Sequence, residues 1–135
     1  MKPALLPLLL AALVSIAFGV RYSFARQFMG YQAVLTGKTW AELERGTQIA
    51  VLGMLKVCGA GFFAYSAALL WFALPLDRGE TWAAWAALSV TAALTLPVLY
   101  VTLWLRRMEP KAKTPVFAPI VVLLLVLLST GASLA

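Results

Sequence analysis

The chain has 135 residues, 63% hydrophobic and only 12% charged, with a net charge of +6 and a mean hydropathy of +0.92. A soluble domain carries about a quarter charged residues, so this mixture cannot cover a water-facing surface, although it can cover a lipid-facing one. Each helical span consumes roughly 20 apolar residues, so four spans take up most of the chain and exclude a separate soluble domain.

The first apolar segment follows Lys2 and is expected to span from about 4 to 26, with an extension to Phe28 left open. Its shape is also that of a signal peptide, but Arg21-Tyr22-Ser23-Phe24-Ala25-Arg26 offers no small-x-small cleavage site, so it is read as a retained span. Pro7 lies in its first turns, where a missing N–H is best tolerated. Residues 21–47 form the longest polar stretch and mix aromatic and basic side chains, which suits an interfacial segment over about 27–47. Within it, Thr39-Trp40-Ala41-Glu42 reads as a capping box that starts the second helix near Trp40.

The second span is expected over 48–74, stopping at Pro75. Leu76-Asp77-Arg78-Gly79-Glu80 is a tight polar turn that forces an antiparallel neighbour. Thr81 is the expected N-cap of a third span over 82–105, with Trp82 and Trp85 as interfacial anchors and Pro97 as a mid-span kink. Arg106 and Arg107 end it at the opposite interface, and Thr114-Pro115 signals the start of a fourth span over 116–134. The expected fold is therefore all-α: a four-transmembrane-helix antiparallel bundle.

The basic residues lie between these spans. Arg21, Arg26, Lys38 and Arg45 flank the first connection, and Arg106, Arg107, Lys111 and Lys113 the third, against Lys2 and Arg78 on the other side. The positive-inside rule puts both basic loops in the cytoplasm and both termini outside. No groove-reading motif accompanies the charge, so the expected partner is the bilayer and its anionic headgroups rather than nucleic acid.

Chemistry is sparse. Histidine and asparagine are absent and Cys58 stands alone. That removes the commonest metal ligand, the usual general base and any CxxC pair, so no metal, cofactor or catalytic residue is expected. No acidic residue lies within a span, unlike the antiporters of the small multidrug-resistance type, which need one. Gly19-Val20-Arg21-Tyr22 resembles the start of bacterial fluoride channels, but their pore asparagine is missing.

Lys56 is the one charged residue inside a span. It lies about 10 Å of helix rise beyond Ile49. Two readings stay open: a stem that snorkels to the basic interface or makes a structural contact, or an ammonium that receives a lipid phosphate or anionic ligand. On the second reading, the candidate ligand- or lipid-binding residues are Lys56, Gly59, Tyr31 and Arg21. Gly53, Ala60, Ala64 and Ala67 share one side of the same helix and suit close helix packing. Thr91, Thr95 and Thr102 share a face beside Pro97 and are expected to bond backbone carbonyls or a neighbouring helix. Trp40, Arg106 and Arg107 complete the interfacial anchors.

Phe28-Met29-Gly30-Tyr31, Trp40-Ala41-Glu42-Leu43, Lys56 with Gly59 and Gly61, Arg78-Gly79-Glu80 before Trp82 and Trp85, Pro97 with Tyr100, and Lys113-Thr114-Pro115 extend over the whole chain. In these the chain resembles small bacterial four-helix membrane proteins described as DoxX-like. Gln32 stands where that group often has histidine. The resemblance implies a bacterial inner-membrane location and carries no activity with it. The leading expectation is a non-catalytic accessory or structural subunit, packing with itself or a larger complex. A small oligomeric transporter or channel is the second reading, and a lipid, quinone or pigment binder using Lys56 the third.

Overall fold

The computed structural model describes residues 3–135, so Lys2 and its contribution to the charge balance lie outside the described residues. The chain folds as α1 (Leu5–Ser23), α2 (Gly30–Thr36), one 3-10 turn (Trp40–Glu42), α3 (Arg45–Arg78), α4 (Thr81–Met108) and α5 (Phe117–Leu134). Four of these helices, α1, α3, α4 and α5, are long and apolar enough to cross a membrane.

They pack as a closed ring in the order α1, α3, α4, α5, with α5 returning to α1. Each neighbouring pair runs antiparallel, because partner positions rise along one helix as they fall along the next. On α3 and α4, Tyr65 meets Thr91 while Phe72 meets Trp82. On α4 and α5, Ala84 meets Thr130 while Thr102 meets Thr114 just before α5. The α5 hydroxyl of Ser129 closes the ring on the Ala4 carbonyl at 2.6 Å.

Small side chains allow this closeness. The core joins Leu8, Ala11 and Ala12 of α1 to Tyr65 and Leu69 of α3, Ala83, Ala84 and Ala87 of α4, and Val122 and Val126 of α5. Large apolar side chains point outward instead, among them Trp71 (80% exposed) and Phe117 (77%). In water such surfaces would drive association; against lipid tails they are ordinary.

Several boundaries differ from those expected, each for a local reason. α1 stops at Ser23, three residues short of 26, because the chain turns there with Phe24 N–H on the Val20 carbonyl and Ala25 N–H on that of Tyr22. Within the interfacial segment 27–47, an unforeseen short helix, α2, occupies 30–36 and ends at Gly37, whose φ of 64° suits glycine. The Thr39/Glu42 capping box forms, but on the single 3-10 turn, and the next helix starts only at Arg45. Pro75 does not stop α3. Its ring removes one hydrogen bond near the helix end, and the helix runs on to Arg78. The stop is Gly79 at φ 86°, with its N–H on Leu76 and that of Glu80 on Pro75.

Thr81 is the first residue of α4 rather than its cap; Glu80 takes the cap position without a side-chain bond. α4 continues unbroken through Pro97 to Met108, three residues past 105. Thr114 does not cap α5: its hydroxyl reaches back to the Thr102 carbonyl at 2.9 Å and ties the connector to α4.

Candidate ligand site at the basic end of the bundle

The α1–α3 contact organises one end of the bundle. A Cβ at Gly59 would stand 2.7 Å from the Ser23 backbone nitrogen and 3.0 Å from the Gly19 carbonyl oxygen, so the two backbones touch at this position. Gly19 in turn receives the ring of Phe63. The same approach lets Lys56, one turn before Gly59, donate from Nζ to the Ser23 carbonyl at 2.9 Å. That carbonyl is one of the last four of α1, which have no partner within the helix. An ammonium here also meets the negative end of the helix dipole. Lys56 thus makes a structural contact as the cationic cap of α1.

A second feature lies around the corner of α1. A cleft of about 320 Å³ is lined by Phe18, Arg21 and Tyr22 of α1, Met29, Gly30 and Tyr31 at the start of α2, and Lys113 and Pro115 of the α4–α5 connector. Two positive groups and two phenols thus face one concavity with no carboxylate in its wall. Burial pushes the Tyr31 hydroxyl above the ordinary tyrosine value, and the adjoining Tyr22 phenol pushes it further. Tyr31 therefore remains an O–H donor across the physiological range.

Phe18, Tyr22 and Pro115 also belong to the wall of a narrower crevice of about 40 Å³ that runs on into the bundle. Phe62, Leu94, Val98 and Val122 line it, and Phe62 packs on the Phe18 and Tyr22 rings at 5.7 and 5.6 Å. Its two hydroxyls turn away: Ser15 bonds the Ala11 carbonyl at 2.9 Å and Thr95 that of Thr91 at 2.8 Å. The polar cleft therefore adjoins a largely apolar slot, with Phe18, Tyr22 and Pro115 common to both walls.

The four expected ligand residues divide between these two places. Arg21 and Tyr31 line the cleft, whereas Lys56 and Gly59 form the α1–α3 contact and do not line it. Gly53, Ala60, Ala64 and Ala67 are exposed, with open space above Gly53, and pack on no other helix of the chain. Within the bundle, α3 is packed through Leu55, Gly59, Tyr65, Ser66 and Leu69 instead. Thr91, Thr95 and Thr102 each bond a carbonyl one turn back, and Thr91 also accepts from the Tyr65 hydroxyl at 2.7 Å. Pro97 is exposed beside them.

Among the anchors, Trp40 stacks edge-on against buried Phe28 at 5.3 Å and accepts Gln48 Nε2 on its carbonyl. Trp82 donates to Glu80 at 2.6 Å, and Trp85 is exposed. Arg106 reaches the Thr114 carbonyl at 3.3 Å, and Arg107 is exposed. The sequence reading missed Lys113 and Tyr22 as cleft residues and Tyr65 as an interior clasp. Lys113 stands 92 positions from Arg21, and only the closure of α5 on α1 brings them together. Tyr65 was detectable as a phenol inside an apolar run, as Tyr100 is.

This arrangement places the chain among all-helical proteins with four span-capable helices, consistent with an integral membrane protein. No protein-family model, curated protein or solved structure matches it.

Proposed function

We propose that the chain is a non-catalytic subunit of the bacterial inner membrane, packing in the bilayer with its own copies or with a larger complex. Its basic connectors lie in the cytoplasm and both termini outside, as the charge asymmetry favours. One observation carries the reading: the interior polar groups are already committed. Among the described residues, every buried side-chain nitrogen or oxygen has a hydrogen-bond partner within the chain. Lys56, the one charged residue in the middle of a span, is engaged with the end of α1.

A transport path or a catalytic centre needs polar groups free to hand on an ion, a proton or a solute. Here they are spent on partners in their own helix or in a neighbouring segment, which supports a structural role. The outward face of α3 supports packing against other chains, because Gly53, Ala60, Ala64 and Ala67 form a low ridge where a second helix can approach closely. Extraction in a mild detergent followed by native mass spectrometry tests this. Assemblies heavier than one 14.6 kDa chain are expected, with Ala60→Leu and Ala64→Leu lowering the assembled fraction. Single chains only, together with ion or solute flux in liposomes, would overturn the proposal in favour of a transporter.

A further inference from the structure

We propose that the cleft between α1, α2 and the α4–α5 connector is a binding site for one anionic lipid, its headgroup phosphate held by Arg21 and Lys113 and the beginning of its apolar chain lying in the adjoining crevice. The inference stands apart from the packing role above and does not depend on it.

Three observations converge on this ligand class. The first is charge without internal partners. Lys56 and Arg106 each donate to a backbone carbonyl. Arg21 and Lys113 hydrogen-bond no protein group among the described residues, although they face the same cleft from segments far apart in sequence. A guanidinium and an ammonium around one concavity, with two phenols in its wall, match the acceptor oxygens of a phosphate.

The second is size. At about 320 Å³ the cleft is within the range of small-molecule sites and far larger than one ion requires. The third is the adjacency of the polar cleft and the apolar slot. The crevice shares Phe18, Tyr22 and Pro115 with the cleft, and its hydroxyls are satisfied on their own helix. At about 40 Å³ it admits a few heavy atoms of a chain rather than a whole tail. A free phosphate would leave that slot unused, and a zwitterionic lipid would bring a cation of its own to a cleft that already holds two. An anionic amphiphile satisfies both halves.

The test uses the full chain, delipidated in detergent and titrated with dioleoyl phosphatidylglycerol, dioleoyl phosphatidylcholine or inorganic phosphate. Bound lipid is counted by native mass spectrometry. One phosphatidylglycerol per chain is expected, in preference to phosphatidylcholine. Arg21→Gln and Lys113→Gln should each weaken it about fivefold, the effect of one cation near an anionic headgroup. Lys113→Arg should retain binding, and Arg107→Gln, which removes the same charge outside the cleft, should leave it unchanged. Ala118→Leu, which fills the crevice, should weaken the lipid without strengthening phosphate. Circular dichroism and a monodisperse elution profile verify that each variant is folded. Equal binding of the two lipids would overturn the proposal. So would an Arg107→Gln loss as large as that of Arg21→Gln, or inorganic phosphate binding as tightly as phosphatidylglycerol with Ala118→Leu silent.

Discussion

Adding one methyl group at Gly59 should destabilise the bundle far more than the same methyl at Gly53, six residues away on the same helix. At Gly59 the new Cβ would meet the Ser23 nitrogen at 2.7 Å and the Gly19 oxygen at 3.0 Å, both backbone atoms that cannot rotate aside. Ordinary contact begins near 3.4 Å, so α1 would have to retreat by about 0.7 Å. Moved by that amount, the Lys56–Ser23 bond, now 2.9 Å, would pass about 3.5 Å and cease to be a hydrogen bond. Overpacking costs about 1–3 kcal/mol and the lost bond about 1 kcal/mol, for a total of about 2–4 kcal/mol. At Gly53 nothing lies within 4 Å, so Gly53→Ala should be neutral or stabilising by up to about 1 kcal/mol through helix propensity. Reversible unfolding in mixed micelles titrated with a denaturing detergent measures both. Equal stabilities of Gly59→Ala and Gly53→Ala would refute the close α1–α3 approach.

Other substitutions address different parts of the molecule. Thr91→Val leaves the buried Tyr65 hydroxyl without its acceptor and should cost about 1–3 kcal/mol, whereas Tyr65→Phe leaves Thr91 bonded to Ala87 and should cost about 1 kcal/mol or less. The reverse order in the same unfolding assay would contradict the direction of that bond. Glu42 accepts the Thr39 backbone N–H and then its hydroxyl, which holds its carboxyl below the ordinary value of 4.5. Its contribution to the turn is therefore present above that pH and is lost as pH falls through the lowered value. The Thr39 amide resonance should report the loss in acid, and Glu42→Gln should remove most of the titration. With Cys58→Ser as background, an impermeant maleimide on intact cells should label Asp77→Cys and spare Lys111→Cys. The opposite pattern would invert the proposed orientation.

The four long helices were legible because apolar runs bounded by charge are dictated by the solvent, and lipid leaves few alternatives to a helix. Their ends were less so, since local signals compete. Pro75 resembles a stop, yet near a helix end it removes only one bond, and Gly79, three residues before α4's first tryptophan, supplies the left-handed residue that terminates the helix. The polar stretch hid α2 because seven residues are too few for a periodic pattern. Lys56 was correctly singled out as unusual, but its partner is a carbonyl 33 residues earlier that only the packing of α1 on α3 supplies. The cleft was half legible. Arg21 and Tyr31 carry a basic and aromatic signature, whereas Lys113 looked like one more charge in a basic loop until α5 closed against α1.

The hydroxyls that bond one turn back have a consequence for how the protein is made. Ser15, Ser66, Thr95 and Thr102 each satisfy a donor within their own helix. Each rod can leave the translocon and enter the hydrocarbon singly, with no bare O–H directed at acyl chains while it waits for its neighbours. The bonds of Lys56, Tyr65, Thr114 and Ser129 to other segments, and the contact of Thr130 with Ala84, must wait for assembly. Those sites would then mark the last step of biogenesis, when separately inserted rods lock into one body.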